Sequence, residues 1–531
     1  MKAIKIYLSI LCMFTLTWVV SSCNEFLEEK PLDAKSSNQF WQSEADALSA
    51  VNALYFGGVP YLHNTDVDGG WTPKATMWNG VFSGLFVDKR KDRTFTTASE
   101  GMTLNVASFD GIAMKYWHEF YKGISRANFV IANVPTMTDV LDAATIKNYV
   151  AQAKFFRAYG YFYLVKEFGD VPYVEEPYTS TDGMFKERVA AATVYQKIEA
   201  DLLEAIDGLA DKAFYDNGCY VTKSTAQTLL AVVYLQWAGQ PINGGNTCYT
   251  KAAGMAENVI NGGKHALEQA NGSSDDLSSA FNVIKTTKTS NEIIYAKEYN
   301  YTSYNVGNSY ACRSIGTDAF QWGIFKPAGD VLYNAYLPCD MLLESYDPAD
   351  IRGHEKQFFF KEYNDFTLNT VGNWAWFDEA ALIAGHDGDN NMPTFRYSEV
   401  LLIAAEGYAR TGDDSKARGY LNQVRKRAGV ADEATATGDD LVKIILTERL
   451  HEFPLEFKVW DDIRRTRLYP EADGKNSGTL KWTPLASATI QNKPEGQTKV
   501  GAIPEWALLW PLPLTEMQSN PSLTPQNPSW N

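Results

Sequence analysis

The sequence has little cysteine, little histidine and no surplus of positive charge, and each shortage removes a class of function. Lys and Arg number 48 against 64 Asp and Glu, a formal charge of −16. A nucleic-acid binder needs clustered cations to meet phosphates, so that class is excluded. The six cysteines show no CxxC spacing, which argues against a zinc site. Catalytic motifs are missing as well. His118-Glu119 and His354-Glu355 lack the second histidine of HExxH, no GxSxG elbow occurs, and Gly262-Gly263-Lys264 runs into His265 where a P-loop needs Ser or Thr. Disorder is excluded by a hydrophobic content of 45%, and no biased repeat suggests collagen or coiled coil.

The first residues read as an address. Lys2 and Lys5 precede an apolar run, Ile6 to Val20, that is too short to span a bilayer comfortably. It ends in Val20-Ser21-Ser22-Cys23, the pattern of a bacterial lipobox. Residues 1–22 are therefore expected to be a lipoprotein signal peptide and Cys23 the lipidated residue, with residues 23–531 forming the mature protein; an ordinary cleaved signal with a chance cysteine is the alternative. Each buried lipid methylene contributes about 0.8 kcal/mol, so two or three chains anchor a protein durably. No later segment is a candidate span. Cys219, Cys248, Cys312 and Cys339 then remain, as buried thiols or with one disulfide among them.

Most of the ordered chain has helical periodicity, so the expected class is mainly α. Helices are expected over Phe40–Tyr55 (with Ser43 and Asp46 as a capping box), Tyr116–Val134, Ile146–Phe168, Thr193–Leu209, Ser224–Ala238, Tyr249–Ile260, Arg396–Arg410, Ser415–Ala428, Asp440–Phe453 and Val459–Arg467. Strand-like runs are few, Glu292–Lys297 among them. Ala405, Tyr408, Ala417, Leu421 and Val424 fall where a tetratricopeptide unit interlocks its two helices. Ala231 with Tyr234, and Ala158 with Tyr161, match the first helix of two more units, each expected to be separated from its second helix by an insertion. The expected architecture is a degenerate tetratricopeptide-like scaffold carrying long irregular insertions at about 57–110 and 298–392.

These insertions hold the functional clue. They are rich in Gly, Asn, Asp, Tyr and Trp, and loops of such length inside a compact protein are functional or disordered. Exposed tryptophans are costly in a disordered segment. Acidic pairs such as Asp66 with Asp68, or Asp387 with Asp389, are weak evidence for a glycosidase in a chain with so many carboxylates. Asp387, Asp389 and Asn391 imitate the opening of a calcium loop, but its glycine and its final glutamate are absent, so a solvated turn is expected and no metal or cofactor.

Five ordered motifs carry a resemblance. The lipobox is followed by Phe26-Leu27-Glu28-Glu29-Lys30-Pro31 and Phe40-Trp41. Then come Gln152-Ala153-Lys154-Phe155-Phe156-Arg157-Ala158-Tyr159 through Phe168-Gly169-Asp170-Val171-Pro172, and Arg396-Tyr397-Ser398-Glu399-Val400-Leu401-Leu402 with Leu421-Asn422-Gln423-Val424-Arg425. Glu448-Arg449 to Asp461-Asp462-Ile463-Arg464-Arg465 and Trp510-Pro511-Leu512-Pro513 to Asn527-Pro528 complete them. Together they resemble the SusD/RagB family of outer-membrane lipoproteins over nearly the whole chain. Phe453-Pro454-Leu455-Glu456 departs from the family's more usual Phe-Glu-Gly. Physically these motifs read as structure: Phe155, Tyr159, Phe162 and Tyr163 form a buried stripe, Arg157 seeks a structural ion pair, and Glu448, Glu452, Glu456, Asp461 and Arg464 pack between repeats.

The resemblance implies a surface-exposed lipoprotein of the outer membrane that captures a glycan and passes it to a SusC-like TonB-dependent transporter, over which it sits as a lid. Glu25, Glu28 and Glu29 resemble the export signals of surface lipoproteins. No bond is broken in that role. The aromatic planes suited to sugar faces are Trp71, Trp78, Tyr301, Tyr304 and Trp322, with Asp68 and Asn79 as polar neighbours. Trp374 and Trp376 are secondary candidates that share a side if locally extended, whereas Trp41, Trp117, Trp237 and Trp460 are expected in the core. A helical glycoside hydrolase, or a lid for peptide or other non-glycan cargo, are the alternatives.

Overall fold

The computed structural model describes residues 40–56, 83–87, 106–178, 182–269, 279–304, 336–488 and 508–528, with isolated positions at 80, 180, 307, 308, 315, 316, 319 and 323. In chain order its elements are α1 (Glu44–Asn52), β1 (Phe86–Val87), α2 (Val106–Asn133), α3 (Ala143–Phe168), α4 (Ala191–Gly208), α5 (Lys223–Ala238), α6 (Gly245–Gly262) and α7 (Ala280–Thr286). Then follow β2 (Ile293–Lys297), α8 (Tyr301–Tyr304), β3 (Leu337–Pro338), α9 (Asp340–Glu344), β4 (Phe359–Tyr363), β5 (Phe366–Asn373), α10 (Glu379–Ala384) and β6 (Met392–Arg396). The chain continues through α11 (Tyr397–Thr411), α12 (Asp414–Arg427), α13 (Gly438–Glu452), α14 (Val459–Thr466), β7 (Leu468–Ala472), β8 (Leu480–Pro484) and α15 (Leu514–Ser519). The protein is mainly helical, as its periodicity predicts, and none of the described helices is long and apolar enough to cross a membrane.

Local signals set the helix ends. Ser43 and Asp46 make the expected capping box of α1. Asp142 accepts from the amides of Ala144 and Thr145 to start α3, and Gly169, at φ +74°, stops it. Gly412 takes φ +92° between α11 and α12, and the Asp413 side chain caps the second helix. Two expectations are corrected. Helix α2 begins at Val106, ten residues before the periodic segment, where the Leu514 amide bonds to Asp110 and the C-terminal α15 packs alongside; tertiary contact extends the helix beyond what spacing shows. Only Gly239–Gly244 separates α5 from α6, so that repeat carries no insertion between its helices.

Helices α2 to α6 pack each against the next, α6 packs on α11, and α11 is sandwiched with α12 and α13. The pairs α3/α4, α5/α6 and α11/α12 are the tetratricopeptide-like units. Of their marker residues, Ala158, Tyr161, Ala231, Tyr234, Ala405, Ala417, Leu421 and Val424 are buried and Tyr408 is half-buried. Close approach has a specific cause at Gly407: a Cβ there would lie 2.7 Å from the Tyr249 carbonyl and 2.8 Å from the Ala253 Cβ of α6. Helix α3 is buried almost all round in its C-terminal half, with Phe156, Tyr161 and Leu164 inside as well as the expected Phe155, Tyr159 and Phe162, whereas Tyr163, expected in the same stripe, is only half-buried. Trp117 and Trp460 are core residues, and Trp237 is half-buried against the core. Trp41 is also half-buried there but precedes α1 at φ +45°, off the helix. Cys219, Cys248 and Cys339 are free thiols; Cys312 lies outside the described residues.

Charged residues of the motifs are buried and paired. Arg157 on α3 makes a two-pronged contact with Asp201 on α4, both bonds 2.7 Å. Arg465 grips Glu406 through two bonds of 2.6 Å and shares Asp462 with Arg449. Arg464 meets Glu167 at 2.8 Å and Asp461 at 2.6 Å. The largest cluster joins Arg352 to Asp350, Glu448 and Glu452, and joins Arg396 to Glu292, Glu452 and Glu456, with Arg427 bound to Glu292 and Glu452. The expected structural roles of Arg157, Glu448, Glu452, Glu456, Asp461 and Arg464 are what these contacts provide.

Among the described residues, four two-stranded antiparallel ladders complete the fold: β1–β3, β2–β6, β4–β5 and β7–β8. The β2–β6 pair sets Ile293 opposite Arg396 and Lys297 opposite Met392, so the two ends of the second insertion meet at one root. Within that insertion no described helix exceeds six residues.

Candidate functional site

Tyr301 and Tyr304 lie on the single turn α8, immediately after the root strand β2. A turn this short cannot hold itself, and side chains hold it. Asn300 accepts from the Ser303 amide at 2.8 Å. Asp389, on the returning chain, accepts from the Tyr301 amide at 2.5 Å and from the Thr302 hydroxyl at 2.8 Å. Partial burial pushes the Asp389 carboxyl up, but these donors and nearby Lys288 outweigh it and hold the group below its ordinary range. The Asp389 amide in turn donates to Asp378, which caps α10 through the Ala381 amide.

The Tyr301 ring, half-buried, stacks on the His386 imidazole with centroids 4.3 Å apart and planes 18° from parallel. Gly307 makes the neighbouring approach possible, because a Cβ there would lie 2.3 Å from that of Asp387. An Asn308–Gly388 bridge closes the same corner, with bonds of 2.7 and 2.9 Å. Beneath it Glu298 accepts from Asn391 at 2.6 Å and from Tyr215 at 3.3 Å, and Tyr215 belongs to the turn that follows α4. The corner is thereby bolted to the helical scaffold. Tyr304 projects from it with 75% of its surface exposed, the most exposed large apolar side chain among the described residues.

Such an arrangement offers a fixed backbone and a free aromatic plane. It suits stacking on an apolar face rather than proton transfer. No group of three or more His, Cys, Asp or Glu residues among those described could hold a metal ion; Asp389 and Asn391, which imitate a calcium loop in sequence, spend their oxygens on backbone and hydroxyl donors.

Trp71, Trp78, Trp322, Asp68 and Asn79 lie outside the described residues, as do Cys23 and the signal segment. Trp374 and Trp376 require a correction. The residues after β5 turn back on themselves, Phe377 donating to the Asn373 carbonyl, so strand alternation does not apply. Trp374 is buried, its N–H taken by Asn282 at 2.7 Å and its ring by Phe377 and Lys285. Trp376 is buried between Tyr336 and Phe457. Sequence reasoning missed the roles of His386, Asp378, Gly307 and Asp389. The run Asp387-Gly388-Asp389-Asn390-Asn391 was the available signal, since clustered Asn, Asp and Gly favour side-chain-to-backbone turns.

The chain is similar to known proteins in sequence and in fold. Residues 362–530 match the model of the SusD family, and residues 84–235 match the family described as starch-binding and associating with the outer membrane. SusD-like protein P2 of Formosa agariphila is 27% identical over 537 aligned residues, covering 95% of this chain and 96% of its own. A SusD superfamily protein of Parabacteroides distasonis superposes with a TM-score of 0.76 at 25% identity, over 91% of this chain and 99% of that one. The surface glycan-binding protein A of Bacteroides thetaiotaomicron, solved with laminarihexaose, shares the fold with a TM-score of 0.69 at 20% identity, over 92% and 100% of the two chains.

Proposed function

The chain belongs to the SusD-like proteins, and from that premise we propose that it is a surface lipoprotein that captures a glycan and delivers it intact to a SusC-like TonB-dependent transporter. The observation that carries this reading is Tyr304, an aromatic plane held open to solvent on a turn that Asp389 and Asn300 fix in place. A sugar ring presents a C–H face that such a plane covers, while its hydroxyl rim is answered by polar side chains and backbone. The sequence candidates Trp71, Trp78, Tyr301 and Trp322, with Asp68 and Asn79, are proposed as further contributors to that binding. Several shallow contacts along one polymer add through effective concentration, so no single deep pocket is needed. Cys23 carries the lipid after removal of residues 1–22, and the protein closes over its transporter as a lid at the outer membrane, retaining cargo during import.

Calorimetric titration against a panel of plant, host and microbial polysaccharides tests the reading, with Tyr304→Ala and Trp322→Ala alongside. Saturable heat with no sugar released, weakened in folded variants, supports a receptor. Silence across the panel, or appearance of cleaved product, refutes it.

A further inference from the structure

A small cavity of about 60 Å³ lies where the root of the second insertion meets the scaffold. Helix α3 gives Tyr159 and Lys166 to its wall, β6 gives Pro393 and Thr394, and α13 gives Arg449. Glu399 on α11, Asp461 on α14 and the connection that holds Glu456 and Lys458 close it. Neither Tyr301 nor Tyr304 lines it.

Most polar groups of this wall are paired within the fold. Lys166 meets Asp461 at 2.8 Å, Lys458 meets Glu399, and Glu456 gives its Oε1 to Arg396 at 2.7 Å. Three buried atoms are left over. Arg449, 4% exposed, spends its Nε on Asp462 at 2.8 Å, and its Nη1 makes no hydrogen bond. Tyr159, 1% exposed, has its hydroxyl near that of Tyr163 but in no well-aligned bond. Glu456 Oε2 faces Lys458 Nζ at 3.2 Å as an ion pair without the alignment of a hydrogen bond. Buried polar atoms without hydrogen bonds are rare and costly, and three in the wall of one cavity have a common cause.

The wall also limits what can answer them. Its charges balance, with Lys166, Arg449 and Lys458 against Glu399, Glu456 and Asp461, so an added ion of either sign would sit uncompensated in a poorly solvated space. An apolar group would leave the three atoms as they are. The volume corresponds to roughly two waters at about 30 Å³ each, which excludes a sugar ring. Water donates and accepts, and the three atoms need both: a guanidinium that donates, a carboxylate oxygen that accepts and a phenol that does either.

We infer that this cavity is a hydration site built into the fold, in which two ordered waters bridge Arg449 Nη1, Glu456 Oε2 and the Tyr159 hydroxyl. Glu456 also holds Arg396 at the end of β6, so water completes the seam between the insertion root and helices α3 and α13. The site is independent of the aromatic surface at Tyr304.

The test crystallises the full chain from detergent and determines its structure at a resolution that shows ordered water, with rubidium and bromide soaks read by anomalous scattering. Two waters are found within hydrogen-bond reach of the three atoms, and neither soaked ion enters. In Tyr159→Phe, which removes one hydroxyl and nothing else, the water beside it is lost and the unfolding equilibrium constant in urea titration rises roughly five-fold. A hydroxyl that bonds to nothing predicts the opposite, a variant as stable as the parent or more so. Absence of ordered water at the three atoms, rubidium or bromide in the cavity, or a Tyr159→Phe variant at or above the parent's stability would each overturn the assignment.

Discussion

Glu406→Gln probes the reasoning about buried charge most directly. Glu406 is wholly buried on α11 and receives two bonds of 2.6 Å from Arg465. Burial pushes its carboxyl up, but Arg465, Arg410 and Arg449 overcome that and bring it from 4.5 down to about 2. A tenfold change in proton affinity is worth about 1.4 kcal/mol, so the ionised carboxylate contributes on the order of 3 kcal/mol at neutral pH. The mutational scale agrees: breaking a buried pair from one side costs about 3–5 kcal/mol, and Asp462, still 2.8 Å from Arg465, keeps the loss at the lower end. The folded-state value is depressed, so the unfolded chain binds the extra proton between the two values. This stability is present above about pH 4.5 and is lost as pH falls toward 2. Urea unfolding followed by circular dichroism should therefore find the variant about 3 kcal/mol less stable at pH 7, with the gap narrowing by roughly half at pH 3. A gap below about 0.5 kcal/mol at pH 7, or one that acidification leaves unchanged, would refute the account.

Gly407→Ala should destabilise by about 1–3 kcal/mol in the same assay, because its new methyl group meets the Tyr249 carbonyl of α6, a backbone atom that cannot swing aside. Tyr304→Ala should leave unfolding within about 0.5 kcal/mol of the parent, since the side chain is largely in water, while weakening polysaccharide binding about ten-fold in calorimetry. Asp389→Ala should reproduce much of that binding loss without touching the tyrosine, by freeing the amides of Tyr301 and Thr302; equal affinity in this variant would show that the turn needs no such support.

The scaffold was legible because its helices are long, periodic and punctuated. Ser43, Asp413, Gly169 and Gly412 mark ends that the structure keeps. Where the reading slipped, contacts distant in sequence decided. The start of α2 is held by the C-terminal segment, whose Leu514 amide bonds to Asp110, and no local pattern carries that information. Trp374 and Trp376 misled for a related reason: tryptophan in a polar, irregular stretch looks like a ligand platform, but β4, β5 and α10 build a small core of their own around Phe360, Leu368, Trp374 and Phe377. The Tyr301–Tyr304 turn was found by its aromatics, whereas the carboxylate that fixes it sits 88 positions away.

The ladder between β2 and β6 has a consequence for how such proteins diversify. Glu292 just before the first strand and Arg396 at the end of the second are joined directly at 2.6 Å, and both reach Arg427 or Glu452 on the scaffold helices. The segment from 298 to 392 thus starts and ends at one clamped gateway, and in between Arg352 ties it a second time to Glu448 and Glu452 of the scaffold. Loop-closure entropy rises only slowly with length, and here the closure is made by the gateway itself. Between these two ties the chain can change in length and composition at little thermodynamic cost to the helices, which makes the fold a mount on which recognition surfaces can be exchanged while the frame, Arg352 included, keeps its sequence.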